Sequence, residues 1–198
     1  MIIKRVLDLL LSVTGLIILS PLFLLISLWI KFDSKGPVFY RQVRVGKNME
    51  PFEIFKFRTM FHDPHGKGLQ LTTSDDKRIT GSGRFLRKTK LDELPQLINV
   101  LTGKMSLVGP RPEVPKYVGY YPEEVRKIVL SVPPGITDRA SLEFKNENEM
   151  LHLSKDPEKT YIDEILPVKL EYYVEYVENR TLFGDIKIII DTFWELIK

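Results

Sequence analysis

The longest uncharged stretch of the chain runs from Leu9 to Ile30 and consists mainly of leucine, isoleucine and other apolar residues. A straight helix over this stretch would be ~33 Å long, which is enough to cross the hydrocarbon core of a bilayer. The stretch is too long for the apolar part of a cleavable signal peptide, and no small-residue cleavage site follows it. The sequence therefore predicts that this part of the chain attaches the protein to a membrane.

The dipeptide Ser20-Pro21 falls in the middle of the apolar stretch. Pro21 removes one helical hydrogen bond and clashes with the preceding turn, so it kinks or breaks the helix. Basic residues flank both ends, with Lys4 and Arg5 before the stretch and Lys31 after it, and such residues favour the cytoplasmic side. Because prolines are also tolerated in membrane helices, two hypotheses remain. One is a helix–break–helix hairpin that enters and leaves the same face, and the other is a kinked spanning helix.

The composition of the 198 residues is that of an ordinary folded protein, with a net charge of +3. This mild basic bias does not predict nucleic-acid binding, and the chain contains no nucleic-acid or phosphate-loop motif. The chain has no cysteine, which excludes disulfides and thiolate metal sites. His62 and His65 flank Asp63 in a loop-like segment, so this group is either a metal site or a solvated loop.

Hydrophobic periodicity predicts a mixed α/β fold after the apolar stretch. Two segments with alternating apolar and polar residues, 36–46 and 51–60, predict strands, the first with Arg41 and Arg44 and the second with Lys56 and Arg58. These basic side chains are either the solvated face of a sheet or contacts for headgroups and phosphates. The remaining predictions are helices at 83–88, 92–101, 122–130 and 157–179, a strand at 105–108, a turn at 133–137, a strand followed by a helix at 140–153, and an amphipathic helix at 184–198. The last helix either completes the core or lies in the membrane interface.

Two carboxylates, Asp92 and Glu93, stand side by side shortly before Pro95. A proline fits only the first turn of a helix, which predicts a helix that begins at about Asp92. The helix N-terminus would favour an anionic ligand and an ionised aspartate, which is a possible nucleophile. The structural alternative is that Asp92 is only the helix cap, in a capping box with Thr89. Downstream, Arg111 lies in a stiff Pro-Arg-Pro turn and suits phosphate binding.

Several short motifs accompany this pair at particular spacings. They are Lys4-Arg5-x-x-Asp8, Ser20-Pro21, Lys56-Phe57-Arg58, Gly83-Arg84-Phe85-Leu86-Arg87, Leu91-Asp92-Glu93-Leu94-Pro95-Gln96, Gly109-Pro110-Arg111-Pro112 and Pro134-Gly135-Ile136-Thr137. In their order and spacing, these motifs resemble the bacterial sugar transferase family, the small monotopic phosphoglycosyl transferases. The resemblance extends from about residue 4 to residue 137.

The resemblance implies an enzyme that moves a sugar-1-phosphate from a UDP-sugar to a polyprenyl phosphate, typically undecaprenyl phosphate. Such an enzyme releases UMP and initiates surface glycan biosynthesis. The resemblance implies that Asp92 is the nucleophile and forms an aspartyl phospho-sugar, which gives ping-pong kinetics. It also implies Mg²⁺ as the cofactor, with Glu93 as a metal ligand.

The phosphate contacts that the resemblance implies are Arg87, Arg111, Lys56, Arg58 and Lys145. Two positions depart from the family pattern. Lys145 replaces an arginine, and the two side chains are not equivalent at a bidentate phosphate site. Tyr173 stands where relatives often carry an aspartate. Asp138 and Glu143 are candidates to supply the missing sugar contacts.

The family uses a re-entrant helix broken at Ser-Pro, so the resemblance favours the hairpin for residues 1–32. Residues 33–198 would then form a catalytic domain on the cytoplasmic face of a bacterial inner membrane, with amphipathic helices at the interface. The expected partners are a UDP-sugar, a polyprenyl phosphate and membrane lipid, without nucleic acid, and a homodimer remains open. Two alternatives remain, a glycosyl transferase that releases UDP and a non-catalytic, membrane-tethered interaction module.

Overall fold

The computed structural model of the chain describes residues 2–62 and 76–197, with side chains up to residue 195. Of the loop in which a metal site was one alternative, only His62 lies within these ranges. Asp63 and His65 fall outside the described residues. The described residues form both helices and strands, as the periodicity predicts for a mixed α/β fold, with the helices in the majority.

The elements follow one another with short connections. The helices are α1 (Ile2–Asp33), α2 (Gly81–Lys88), α3 (Gln96–Leu101), α4 (Pro115–Val118), α5 (Glu123–Val129), α6 (Arg139–Glu143), α7 (Glu147–Leu153), α8 (Pro157–Thr160), α9 (Leu166–Asn179) and α10 (Leu182–Ile197). The strands are β1 (Phe39–Val45), β2 (Pro51–Phe57), β3 (Ser106–Val108) and β4 (Gly135–Thr137). A 3₁₀ turn (Leu91–Glu93) precedes α3, and a π-helix (Tyr161–Ile165) joins α8 to α9.

Helix α1 contains the whole apolar stretch and continues through Ser20 and Pro21. The predicted break at these residues is therefore not visible as an interruption of helical structure. Pro21 cannot donate a backbone hydrogen bond, while the Ser20 hydroxyl donates to the carbonyl of Ile17 at 2.8 Å. Within the described residues, α1 is the helix that is long and apolar enough to cross a membrane, with a mean hydropathy of 2.6.

The first turn of α1 is tied to the end of β3 and to α10. The ammonium group of Lys4 lies 2.6 Å from the Asp185 carboxylate and donates to the carbonyl of Val108 at 3.1 Å. The Tyr176 hydroxyl lies 3.0 Å from the same carbonyl and 2.9 Å from Asp185. This closed network joins α1, β3, α9 and α10, and Asp185 is almost fully buried within it.

The next turns of α1 are held by two more charged residues. Arg5 donates to the carbonyls of Val100 and Leu101 at 2.7 and 3.2 Å, and so satisfies two orphan carbonyls at the end of α3. The buried Asp8 carboxylate accepts a hydrogen bond of 2.8 Å from the Ser106 hydroxyl on β3. The amino-terminal end of α1 is therefore fixed to the folded part of the chain by polar contacts.

The carboxyl-terminal end of α1 is fixed to the same folded part. Ile30 is completely buried against Phe57 of β2 and Leu86 of α2. The carboxylate of Asp33 accepts a hydrogen bond of 2.9 Å from the backbone N–H of Ser82, in the first turn of α2. Both ends of α1 are thus attached to one folded unit, while many of the apolar side chains between them are exposed.

Two small sheets support the rest of the fold. Strands β1 and β2 pair antiparallel, as alternation in the sequence predicted, with Phe39 opposite Phe57. Strand β4 pairs parallel with β3, although residues 133–137 were predicted to form only a turn. A Cβ on Gly135 would lie 2.1 Å from the backbone nitrogen of Gly109, so this pairing requires glycine.

The strand predicted near residue 140 is wrong, because helices α6 and α7 occupy residues 139–153. Asp138 begins α6 by accepting a hydrogen bond of 2.9 Å from the backbone N–H of Ser141. Capping by an aspartate is a typical helix start and outweighs the local apolar alternation. The helix predicted at 157–179 is present as α8, the π-helix and α9 in succession.

We predict that Asp185→Asn lowers the free energy of unfolding by roughly 1–3 kcal/mol, because it leaves a partly buried ammonium group without its counter-charge. The measurement is denaturant-induced unfolding of the purified protein in detergent. Glu123→Gln is the matched control, since Glu123 forms an exposed pair with Lys127, and such pairs contribute at most ~1 kcal/mol. Equal effects of the two substitutions would contradict a structural role for the network.

Candidate active site

The two adjacent carboxylates lie in the 3₁₀ turn between α2 and α3. Lys90, just before the turn, has a φ of 56°, in the left-handed region that side-chain-bearing residues seldom adopt. Such conformations are held in place by surrounding structure and cluster at functional sites. The turn places Asp92 and Glu93 between helix α2 on one side and strand β2 on the other.

The helix start predicted at Asp92 is wrong by about one turn. Helix α3 begins at Gln96, with Pro95 at its cap position and no side-chain cap. The capping box with Thr89 is also absent, since the Thr89 hydroxyl donates to the carbonyl of Phe85 at 2.9 Å and closes α2 instead. Asp92 is therefore not a helix cap, and the structural alternative for this residue loses its basis.

Glu93 is enclosed by two cations from distant parts of the sequence. Arg111 donates to both carboxylate oxygens, with 3.2 Å between Nη1 and Oε2 and a closer contact between Nη2 and Oε1. The Lys56 ammonium group on β2 donates to Oε1 at 2.8 Å. Burial alone would raise the pKa of Glu93, but the charges and hydrogen bonds of Arg111 and Lys56 outweigh it and hold this pKa well below its usual range.

Asp92 is more buried than its neighbour Glu93 and is bonded differently. Only 8% of the residue is exposed, and no described residue donates a hydrogen bond to its carboxylate. Burial raises the pKa of Asp92, and the charge of Glu93 adds to this effect, while Lys56 and Arg87 oppose it. Two neighbouring carboxylates therefore have pKa values shifted in opposite directions, which is typical of sites where each has a different role.

Arg87, in the last turn of α2, is the third cation of the site. Burial lowers the pKa of its guanidinium, and the charges of Asp92, Asp76 and Glu93 oppose this shift. Among the described residues, none accepts a hydrogen bond from the Arg87 side chain. The guanidinium is within electrostatic reach of three carboxylates without a hydrogen bond to any of them, so its donors remain available for an anionic ligand.

Asp76 and Arg78 form a further ion pair beside the site. Arg78 donates to both Asp76 oxygens, with 2.9 Å from Nε to Oδ1 and 2.6 Å from Nη2 to Oδ2. The Arg78 hydrogen bonds lower the pKa of Asp76, and the charge of Arg87 adds to this effect. Lys77 and Arg78 form a turn, and the charge of Asp76 acts on Arg87.

The structure gives Arg58 a different role from the predicted phosphate contact. Its guanidinium donates to the carbonyls of Pro37, Lys35 and Ser34 at 2.6–2.8 Å, and to the Ser34 hydroxyl. The residue is almost fully buried and caps the end of α1. Because these donors are committed to backbone carbonyls, Arg58 is a structural residue.

Lys145 also lies apart from the paired carboxylates. Its ammonium group forms a half-exposed pair with Glu195 on α10, at 2.5 Å. Tyr173, by contrast, is fully buried on α9, and burial together with the charge of Asp138 raises its pKa well above the usual value. Asp138 and Tyr173 also contribute to the raised pKa of Arg111, so both residues lie near that guanidinium. Asp138 is committed to capping α6, where it binds Ser141, and is not free to contact a sugar.

One acidic residue of this region was not predicted from the sequence. Glu113 directly follows the Pro-Arg-Pro turn, and its carboxylate accepts a hydrogen bond of 2.9 Å from the Tyr161 hydroxyl. Its position next to Pro112 is the only signal of a role that the sequence contains. Tyr161 lies almost fifty residues further along the chain, and no periodic pattern connects the two.

The arrangement of cations around a carboxylate pair can be compared with known proteins. A family model described as bacterial sugar transferase matches residues 1–198. The chain belongs to the bacterial sugar transferase family. The resemblance inferred from the motifs is thereby confirmed, and the match extends it beyond residue 137 to the end of the sequence.

This bacterial sugar transferase is 39% identical over 193 residues to a UDP-glucose:undecaprenyl-phosphate glucose-1-phosphate transferase of Xanthomonas campestris pv. campestris, covering 96% of the chain and 37% of the relative. It is 36% identical over 195 residues to a protein of the same description from Escherichia coli (strain K12), covering 97% and 39%. A UDP-N-acetylgalactosamine-undecaprenyl-phosphate N-acetylgalactosaminephosphotransferase of Aeromonas hydrophila is 37% identical over 193 residues, covering 96% and 42%. The chain thus spans about two fifths of the length of these relatives.

We predict that Asp92→Asn raises the stability of this sugar transferase at pH 7. The pKa of Asp92 is higher in the folded protein than in the unfolded chain, so ionisation of this carboxyl group opposes folding. The loss of stability begins as the pH rises above the ordinary aspartate pKa and is complete above the folded-state pKa. Removing a penalty of about 1 kcal/mol would raise the unfolding temperature by ~2–4 °C for a chain of this size. Thermal unfolding in detergent, monitored by circular dichroism, measures the shift.

Glu93→Gln is the matched comparison, because its pKa is shifted the other way. Because the pKa of Glu93 is lower in the folded protein than in the unfolded chain, the ionised carboxylate stabilises the fold. This stabilisation is present at a pH above the unfolded-state pKa and is lost as the pH falls through the folded-state pKa. Glu93→Gln should therefore lower the unfolding temperature at pH 7. A shift of both variants in the same direction would contradict the assignment of opposite electrostatic environments.

Proposed function

We propose that this protein transfers a sugar-1-phosphate from a UDP-sugar to undecaprenyl phosphate, releases UMP, and forms a covalent aspartyl phospho-sugar on Asp92. The activities named for relatives from three organisms support the general reaction, since each is the transfer of a sugar phosphate to undecaprenyl phosphate. In cells this reaction would begin the synthesis of a surface polysaccharide. The covalent intermediate and the leaving group are argued from the site itself.

The observation that carries this proposal is the unequal bonding of the two carboxylates. Glu93 is neutralised by Arg111 and Lys56, so its oxygens are poor nucleophiles. Asp92 accepts no hydrogen bond from a described residue, and a small part of its surface remains exposed. Burial raises its pKa. A carboxylate that is free of donors and faces cations is suited to attack a phosphorus atom.

The reaction then has two displacements at one phosphorus atom. In the first, an oxygen of Asp92 attacks the phosphorus that bears the sugar, and the bond to the UMP oxygen breaks with its electron pair. In the second, a phosphate oxygen of the polyprenyl phosphate attacks the same phosphorus, and the bond to Asp92 breaks. Asp92 is regenerated as a carboxylate, which gives ping-pong kinetics.

The cations of the site would bind and orient the diphosphate. Lys56, Arg87 and Arg111 outnumber the two carboxylates, so the site has an excess of positive charge for an anionic substrate. Arg87 is the donor most available to phosphate, because Arg111 is partly committed to Glu93. Phosphoryl transfer depends mainly on such positioning and on neutralised charge.

Magnesium is part of the proposal, and the residues of the site fit it. Mg²⁺ is usually held by one or two carboxylates, while waters and substrate phosphates complete its shell. Oε2 of Glu93 accepts a single hydrogen bond, from Arg111, and this oxygen would hold the ion, with Asp92 beside it. The described residues contain no larger cluster of acidic or histidine side chains. Bound Mg²⁺ would neutralise negative charge on the phosphates.

We further propose that α1 enters and leaves the cytoplasmic face of a bacterial inner membrane as a re-entrant helix, with residues 33–198 forming the catalytic domain. The attachment of both ends of α1 to one folded unit supports this arrangement. A helix of 32 residues is ~48 Å long, and if it crossed a ~30 Å hydrocarbon core its ends would be on opposite faces. One folded unit cannot contact both ends of such a helix.

Helix α10 would lie in the same interface. Its exposed side includes Phe183, Ile186, Ile190, Phe193 and Trp194, which recur at helical spacing. The helix is tied to the start of α1 through Asp185 and Lys4, so the exposed apolar surfaces of the two helices belong to one assembly. Tryptophan and phenylalanine on such a face are typical of helices that lie in the headgroup region.

We expect the purified protein to release UMP from a UDP-sugar in the presence of undecaprenyl phosphate and Mg²⁺. Asp92→Asn should abolish this release, because the amide is not a nucleophile, while the protein remains folded. Asp156→Asn is the matched control at an exposed aspartate that caps α8, and it should retain activity. The measurement is chromatographic quantification of UMP and UDP over a panel of UDP-sugars.

The released nucleotide separates the remaining alternatives. UDP in place of UMP would identify a glycosyl transferase and overturn the proposed reaction. UMP release that persists in Asp92→Asn would contradict the covalent intermediate. A folded protein that releases neither nucleotide, under conditions where a relative is active, would favour a membrane-tethered interaction module.

The re-entrant arrangement predicts that both ends of α1 lie on one face of the membrane. The chain has no cysteine, so Ile2→Cys and Lys35→Cys each provide a single thiol for labelling. In right-side-out vesicles, a membrane-impermeant maleimide should label neither position, and in inside-out vesicles it should label both. Labelling of residue 2 and residue 35 from opposite sides would instead indicate a spanning helix.

A further inference from the structure

We propose that Glu113, held by Tyr161 and Arg44, is a positioning residue that fixes the Gly109–Glu113 loop and thereby sets the guanidinium of Arg111 against Glu93. This inference rests on the proposed function, in which Arg111 and Glu93 belong to the catalytic machinery. It assigns a role in that machinery to three residues that make no contact with the carboxylate pair themselves. The loop connects β3 to α4 and carries Arg111 at its centre.

The first half of the loop is held by strand β4. The N–H of Gly135 donates to the carbonyl of Pro110 at 2.9 Å, and the N–H of Gly109 donates to the carbonyl of Thr137 at 3.1 Å. These contacts continue the parallel pairing of β3 with β4. They fix the residues before Arg111 but leave those after it to be held by other parts of the fold.

The second half of the loop is held by strand β1. Arg44 donates from Nη1 to the carbonyl of Pro112 at 3.0 Å, and the N–H of Val45 donates to the carbonyl of Glu113 at 2.9 Å. The Arg44 guanidinium is itself oriented by Gln42, whose side-chain oxygen accepts from Nη2 at 2.7 Å. The same guanidinium lies 3.8 Å from a Glu113 carboxylate oxygen.

The Glu113 side chain joins this strand to the helical part of the core. Its Oε1 accepts the hydrogen bond from the Tyr161 hydroxyl, and its Oε2 accepts one of 3.1 Å from the N–H of Val114. Both oxygens of a mostly buried carboxylate are therefore occupied. A buried charge that loses one of these partners must move or draw in water, and the loop that carries it moves as well.

Tyr161 is placed to hold Glu113 rigidly. It is 2% exposed, and its ring packs on that of Tyr117 with 4.9 Å between centroids. It also opens the π-helix of the chain, a type of segment that is rare and is found frequently at functional sites. No described contact links Tyr161 to Asp92 or Glu93, so any effect on the reaction must pass through Glu113 and the loop.

The consequence for the reaction follows from the geometry of Arg111. This guanidinium binds Glu93 through two parallel hydrogen bonds, an arrangement that depends on the position of its backbone. A displacement of ~1 Å can reduce turnover by on the order of 10²-fold when it misplaces a catalytic group. Loss of the Tyr161 hydroxyl should therefore impair phosphate binding and turnover without removing any group from the site.

The test is a double-mutant cycle between Tyr161→Phe and Arg111→Ala, measured as kcat/KM for UMP release and as the affinity for UDP. Alone, Tyr161→Phe should lower kcat/KM by roughly 10-fold, mainly through a higher KM for the UDP-sugar. In the Arg111→Ala background, the same substitution should change either quantity by less than about 2-fold, since Arg111 is then absent. If turnover of Arg111→Ala is too slow to measure, the double-mutant cycle is calculated from the UDP affinities of the four proteins.

Three further variants, at Tyr117 and Glu113, serve as controls. Tyr117→Phe removes a hydroxyl from the same core without touching Glu113, and should leave kcat/KM within about 2-fold of wild type. Glu113→Gln keeps an acceptor for the Tyr161 hydroxyl and should retain more activity than Glu113→Ala. Glu113→Ala replaces Tyr161→Phe in the cycle if the latter variant fails to fold. Equal effects of Tyr161→Phe in both backgrounds, with wild type active, would overturn the positioning role. A wild type that releases no UMP would instead count against the proposed function.

Discussion

The buried cluster of Glu93, Arg111 and Lys56 is the interaction on which the site depends. It joins strand β2, the 3₁₀ turn and the loop after β3, three segments that are distant in the sequence. Burying three charges is costly unless each is paired, and here each cation finds the same carboxylate. Because Glu93 satisfies both cations, neighbouring Asp92 accepts no hydrogen bond from any residue that the structure describes. The pairing of one carboxylate therefore prepares the other for chemistry.

The attachment of α1 to the rest of the fold depends on charged side chains in its first turns. The charged groups of Lys4, Arg5 and Asp8 contact the ends of β3 and α3, although the helix that they begin is otherwise apolar. The exposed surface of α1 is left to residues that prefer lipid. Since the same first turn also binds Asp185, helix α1 and the loop that carries Arg111 share one set of contacts at Val108.

The site is maintained at a cost in stability. Lys90 adopts a left-handed conformation beside the pair of carboxylates, and burial raises the pKa of Asp92. Neither feature favours folding, and both lie within three residues of the proposed nucleophile. The neighbouring core of Ile30, Phe57 and Leu86, against which Leu91 packs, supplies packing that offsets them.

The sequence by itself determined the apolar helix, strands β1 and β2, and helix α10, because these depend on local periodicity and on long uninterrupted patterns. It also identified Asp92, Glu93, Arg87 and Arg111, because short motifs carry these residue types at fixed spacing. Tertiary structure alone decided that β4 pairs with β3, that Arg58 caps α1, and that Glu113 meets Tyr161. Each of these contacts joins residues more than twenty positions apart, and so depends on how the chain packs and not on any local pattern. For the same reason, only the folded chain could show which of two adjacent carboxylates is neutralised and which is free.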